Sequence, residues 1–201
     1  MLARLQEILM RRNNVFFILL FVLAILTLFV AGCSKSTENL DNFNAPGKVE
    51  IMNKGTLRIT SPAFENNTNI PIKYTCQGDN VNPPLTIKGI PEATKSFVLI
   101  IDDPDAPVGV WTHWTIWNIP IISEIEENSV PADAIQGITS AQTRGYHGPC
   151  PPSGTHRYFF KLYALNMRLN IDENSTKADL ESAMNGYVID KAELLGLYKK
   201  K

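Results

Sequence analysis

Of the nine residues from Tyr146 to Gly154, reading Y-H-G-P-C-P-P-S-G, five are glycine or proline. Neither a helix nor an interior strand forms there, because proline has no N–H for a hydrogen-bond ladder and glycine has no side chain to pack. Thr155, His156 and Arg157 follow, and then Tyr158–Leu165 (Y-F-F-K-L-Y-A-L), an apolar run of β-formers that reads as a buried strand. The chain therefore carries a stiff loop with two histidines into the start of a buried strand, which is a common way to hold polar groups in fixed geometry. The plain alternative is a Pro-rich turn that merely joins two strands.

Upstream, short apolar segments alternate with turn signals. Thr56–Thr60, Ile70–Thr75, Leu85–Ile87 and Ser96–Ile101 each read as strands, bounded by Ser61-Pro62, Asn66-Asn67, Gly78-Asp79-Asn80, Pro83-Pro84 and Gly89-Ile90-Pro91. The spacing predicts a mostly antiparallel β architecture. Gln136–Arg144 reads as a connecting loop or short strand. Helix is expected only late. Thr176-x-x-Asp179 has the form of a capping box, Leu180 and Met184 share a face, and Gly186 stands where a C-terminal glycine cap would. A second short helix is expected over Lys191–Leu197.

The N-terminus has a different composition. Arg4, Arg11 and Arg12 precede an apolar run from Val15 to Val30, the shape of a signal sequence. Val30-Ala31-Gly32-Cys33 then resembles a lipobox, whose cysteine sulfur would take a diacylglycerol. An uncleaved anchor helix is the competing reading, since Val15–Gly32 approaches the roughly 20 apolar residues that span a bilayer. Either one places the chain at the cell membrane with its domain on the extracytoplasmic side, which the basic N-terminal flank also favours. Residues 34–55 are rich in Ser, Asn, Asp and Lys and read as a flexible polar linker. Residues 56–201 are of ordinary single-domain size. Setting aside the three arginines and Glu7 of residues 1–33 leaves 16 basic against 19 acidic residues, so nothing suggests a nucleic-acid footprint.

Chemistry concentrates between positions 102 and 158. All three histidines lie between 113 and 156. Asp103 ends the apolar run Ser96–Asp103, where a buried carboxylate needs a partner, and His113 and His156 are the expected donors. Imidazole offers N–H to an anionic oxygen and titrates in the physiological range. Arg157 could add a planar fork, and Trp111 and Tyr158 offer walls with a polar edge. Together these residues describe a small rigid pocket for a phosphate-like or carboxylate group. Mutual satisfaction of the same polar groups inside the core is the bland reading. A metal site built from Asp103, His113, His147 and His156 lacks any H-x-H or H-E-x-x-H spacing. A hydrolase using Cys150 or Ser153 lacks a G-x-S-x-G elbow.

Three ordered motifs, D-P-D-A-P (Asp103–Pro107), T-H-W-x-x-W-N-I-P (Thr112–Pro120) and G-P-x-P-P-x-G-x-H-R-Y-x-F-x-L-Y-A-L (Gly148–Leu165), closely resemble the phosphatidylethanolamine-binding protein (PEBP) family, in particular its bacterial and archaeal Raf-kinase-inhibitor-like branch. The resemblance runs from about Leu57 to Tyr198. It implies a PEBP-like antiparallel β-sandwich with short C-terminal helices and one or more cis prolines. It also implies an anion or phospholipid-head-group pocket lined by Asp103, Pro107, Trp111, His113, His156 and Tyr158, with Gly148 and Pro151 shaping the loop. Catalysis, a cofactor and a metal are not implied. Inhibition of a kinase or protease partner, which some relatives are credited with, is the alternative role, but its surface is not defined by these motifs. Cys76 and Cys150 form an even pair, which an exported domain invites to bond. Family members that look cytoplasmic carry cysteines at the same places, so the pairing stays open.

Overall fold

In a computed structural model of the chain, the described residues are 56–200. The signal, lipobox and linker readings, Cys33 among them, fall on residues 1–55, outside that range. Among the described residues no helix is long and apolar enough to cross a membrane.

Ser96–Asp103 (β4) is buried at all eight positions, as a strand covered on both faces must be. Its neighbours are Trp111–Ile119 (β5) and Thr155–Leu165 (β8), both antiparallel to it. Thr68–Asn69 (β2), Ile135–Gln136 (β7) and Val188–Lys199 (β9) complete a six-stranded sheet of order β2-β9-β8-β4-β5-β7. Arg58–Thr60 (β1), Leu85–Lys88 (β3) and Glu124–Ile125 (β6) form a smaller antiparallel sheet, β1-β3-β6. The two-residue alternation of β4 divides the interior. Phe97, Leu99 and Ile101 join Leu85, Ile87 and Ile125 in the core between the sheets. Val98 and Ile100 face the other way, with Trp117 and with Leu180 and Met184 of the helix Lys177–Met184 (α1). Asp102 belongs to the helix side, where its buried carboxylate receives Lys161 Nζ and Lys177 Nζ, each at 2.9 Å.

The mostly-β expectation holds, and so does the late helix. Thr176 caps α1 in a capping box with Asp179, and Gly186, with φ of 81°, follows the Asn185 C-cap. Four expectations need correction. Lys191–Leu197 lies inside the strand β9, not in a second helix, so the described residues hold one short α-helix. The helix-forming run K-A-E-L-L is overridden by eleven residue pairings with β8, and Leu194, Gly196 and Tyr198 are buried at every second position. At Gly196 an added Cβ would stand 2.5 Å from Ile70 Cδ1, so a larger residue at this strand position would have to displace the Ile70 side chain. Ile70–Thr75 is not a strand, because Pro71 opens a 3-10 turn over Ile72–Tyr74. The larger sheet is not wholly antiparallel, since β2 runs parallel to β9. Finally, no described peptide bond is cis. Positive φ is taken at Asn80, Gly109 and Gly154, among others.

Candidate functional site

Antiparallel pairing places the end of β4 beside the start of β5, with Asp103 opposite Trp111, and the start of β8 on the other side of β4. Asp103, His113 and His156 therefore converge at one end of the larger sheet without being neighbours in sequence. A cavity of about 470 Å³ opens there. Two loops finish its walls. The 104–110 loop supplies Ala106, Pro107 and Val108, and the 137–154 loop supplies Ala141, His147, Gly148, Cys150 and Pro152. Asn80 and Cys76 enter from the segment after the 3-10 turn.

The polar groups are held from behind. His156 Nδ1 lies 2.7 Å from Asp103 Oδ2, and both residues are buried. Asp103 Oδ1 also accepts the Asp105 backbone N–H at 2.8 Å, which fixes the start of the 104–110 loop. Asp105 is itself clamped by Arg157, through the backbone N–H at 2.9 Å and the guanidinium at 2.7 and 3.0 Å. That hydrogen-bonded ion pair draws the Asp105 carboxyl below its ordinary pKa. Arg157 is committed to loop structure, with its charge turned to Asp105.

His113 is held differently from the expectation that both imidazoles face Asp103. Its Nδ1 lies 2.6 Å from the His147 carbonyl, and the His147 N–H donates to the His113 carbonyl at 3.0 Å. A carbonyl only accepts, so the proton sits on His113 Nδ1 and Nε2 is the open nitrogen. Burial pushes the His113 pKa below the ordinary imidazole value, against the pull of the His147 carbonyl and the Asp103 carboxylate. His156 donates through Nδ1 to a carboxylate, so it too has Nε2 left for the cleft. Tyr158 packs edge-on against the His113 ring, with ring centres 5.2 Å apart. Its Oη lies near Asp103 without a hydrogen bond of normal geometry, and burial drives its pKa far above the usual phenol range.

Six of the eight sequence-derived ligand-binding candidates share the cavity lining: Asp103, Pro107, Trp111, His113, Gly148 and His156. Pro151 and Tyr158 are buried behind the wall and do not line it. Gly148 is there for close approach. A Cβ at this position would stand 2.6 Å from the Tyr74 carbonyl oxygen and 2.8 Å from Asn80 Oδ1. Cys76 and Cys150 are joined in a disulfide that forms part of the wall, so Cys150 presents no thiol nucleophile. Ser153 is exposed and lies outside the lining. Among the described residues no group of three or more His, Cys, Asp or Glu side chains is arranged to hold a metal ion. Asn80, Ala141 and Val108 were not singled out from the sequence. The one available signal for Asn80 was the Gly78-Asp79-Asn80 turn.

Residues 60–199 match the family model described as phosphatidylethanolamine-binding protein. Among relatives, a UPF0098 protein of Methanothermobacter thermautotrophicus is 47% identical over 150 residues, covering 72% of this chain and 99% of the relative. A UPF0098 protein of Pyrococcus horikoshii is 47% identical over 157 residues, covering 74% and 79%. The crystal structure of a phosphatidylethanolamine-binding protein homolog from Chlamydia trachomatis superposes with a TM-score of 0.71 at 41% identity, covering 73% of this chain and 99% of that one. The structure of YbcL from E. coli, described as a member of the mammalian PEBP family, gives a TM-score of 0.69 at 32% identity, covering 73% and 99%.

Proposed function

The chain belongs to the phosphatidylethanolamine-binding protein family, and on that premise we propose that its cleft binds a phosphate-like anion, such as a phospholipid head group, without turning it over. The supporting observation is the buried Asp103–His156 pair in one wall beside His113 in another, each imidazole anchored through Nδ1 with Nε2 left for a ligand. Two rigid imidazoles can give an oxyanion a pair of charge-assisted hydrogen bonds once protonated. Non-catalytic binding is favoured by what flanks them, because a base needs a nucleophile to activate and Cys150 is bonded to Cys76. Membrane tethering through residues 1–33, by lipid on Cys33 or by an anchor helix, is the accompanying part of the proposal. It would bring the cleft to head groups at high local concentration. Cys33→Ala tests it: unchanged processing, mass and membrane association would exclude the lipid anchor.

The binding test is a titration with a phosphodiester head-group analogue, whose charge is constant between about pH 5 and 8, followed by histidine NMR. Affinity is expected to rise as pH falls, because the bound anion stabilises the imidazolium. His113→Ala should weaken binding at the acid end of the range, where the wild-type ring is a charged donor, and flatten the dependence, and Asp103→Asn should lose the anchor of His156. Flat affinity across the range, with both variants binding like wild type, would sink the assignment.

A further inference from the structure

The two cleft histidines are conditional anion donors. With each Nδ1–H spent on a protein acceptor, Nε2 of a neutral ring presents a lone pair, and becomes a donor only on protonation. A cleft that holds an anion at neutral pH is better served by a donor that does not titrate. The segment Y-T-C-Q-G-D-N, Tyr74–Asn80, carries one that the anion-pocket motifs leave out.

Asn80 lines the cleft and also a smaller neighbouring cavity of about 180 Å³ that includes Trp114, Gln136 and Tyr146. Its place is fixed at three points. The backbone N–H donates to the Lys73 carbonyl at 3.1 Å, and φ is 58°, a left-handed conformation that asparagine tolerates well. The side-chain Oδ1 accepts the Gly148 N–H at 2.7 Å. The side-chain contact decides the amide's orientation, because only the oxygen can face a backbone N–H. The NH2 group must then point away from Gly148, and it makes no hydrogen bond within the described protein. The loop that Asn80 grips is the one that anchors His113 through the His147 carbonyl. Amide and imidazole are thus held in register by adjacent residues, 147 and 148. The Cys76–Cys150 disulfide fixes the same two segments to each other.

We propose that Asn80 is a ligand-contacting residue of this cleft, its side-chain NH2 donating a hydrogen bond to the bound anion at every pH. The proposal rests on the anion-binding reading above. It also assigns the donor that remains in the cleft whenever an imidazole there is neutral and its Nε2 is an acceptor. Neutral donors discriminate by geometry more than by charge, so Asn80 would favour oxyanions with an oxygen free to reach it over anions such as chloride.

The test uses inorganic sulfate, which keeps its charge across the range. Wild type and Asn80→Asp are titrated at pH 8, with 15N-detected signals of the Asn80 side-chain amide followed in wild type. Aspartate preserves the acceptor for Gly148 N–H and removes the donor. The expected result is that the Asn80 NH2 signals shift with the same saturation as the cleft backbone signals, and that Asn80→Asp loses at least tenfold in affinity. Unmoved amide signals overturn the proposal whatever the variant does, since an added carboxylate repels sulfate without any lost contact. An Asn80→Asp affinity within threefold of wild type overturns it as well. In both cases wild-type binding itself leaves the anion reading standing. If wild type binds no sulfate at any pH from 5 to 8, the anion reading fails first and takes this proposal with it.

Discussion

Reducing the Cys76–Cys150 disulfide should lower the melting temperature by roughly 15 °C while leaving the folded cleft in place. The bond closes a loop with a sequence separation of 74 residues. The chain-entropy relation for such a loop gives about 15 cal/mol/K removed from the unfolded state, or about 4.5 kcal/mol at 25 °C. The folded state loses little, because three hydrogen bonds still join the two segments. Cys76 N–H donates to the Pro149 carbonyl at 3.2 Å, Gly148 N–H to Asn80 Oδ1 at 2.7 Å, and Tyr146 O–H to the Tyr74 carbonyl at 2.8 Å. At about 2.1 cal/mol/K of unfolding entropy per residue, the described domain has roughly 0.3 kcal/mol/K in total, and 4.5 divided by 0.3 gives the shift. The assay is calorimetry with and without reductant, alongside a Cys76→Ala, Cys150→Ala variant, with thiol titration to verify reduction. A fully reduced protein that melts within about 4 °C of the oxidised one would refute the reasoning, because the unfolded chain would then not be feeling the tether.

The remaining predictions concern single side chains. Gly148→Ala drives a Cβ to within 2.6 Å of backbone that cannot step aside, so it should cost about 1–3 kcal/mol in denaturant unfolding and weaken anion binding through the displaced His147 carbonyl. Leu180→Ala empties a fully buried position between α1 and the larger sheet and should cost about 2–5 kcal/mol, with cleft affinity unchanged. For His113 the folded-state pKa is depressed below that of the unfolded chain, near 6.5, so the unfolded state binds the proton more readily. Its stabilising contribution is present above about pH 6.5 and is lost as pH falls from there toward the folded-state value. Urea unfolding of ligand-free protein from pH 7.5 to 5 should show this decline. His113→Gln, which cannot titrate, should show a shallower one, and equal slopes would contradict the burial argument.

Central strands and the helix were legible because their signals are local. The apolar run at 96–101 is buried on both faces, and Thr176 with Asp179 caps a helix whatever surrounds it. Strand β9 was not legible, because K-A-E-L-L favours helix over a short window and only the long pairing with β8, decided by topology, overrules it. The site divides the same way. Asp103, His113 and His156 stand at the ends of recognisable strands, so their meeting follows from antiparallel order. Asn80 and Ala141 reach the cleft from loops whose course depends on the disulfide and on left-handed turns. Pro151 and Tyr158 lie within the right motifs but on the far side of the wall, a distinction of side-chain direction that a motif does not encode.

Anchoring both imidazoles through Nδ1 has a consequence for what the cleft can hold. At neutral pH the buried His113 ring offers a lone pair. Under the proposed reading, a fully ionised phosphodiester oxygen is held by the His113 ring itself only when that ring takes up a proton. Affinity for such a ligand therefore carries the cost of protonating a group that burial keeps neutral, at about 1.4 kcal/mol for each pH unit between the ambient pH and the His113 pKa. A ligand that brings its own acidic proton avoids that cost, because a P–O–H group can donate directly to the Nε2 lone pair. A phosphate monoester, with a second pKa near ~6, carries such a proton on much of its population at mildly acid pH. The same arrangement that makes diester binding strengthen steeply with acidity should thus make monoester binding less dependent on it, so the difference between the two pH profiles measures the work of charging His113 inside its wall.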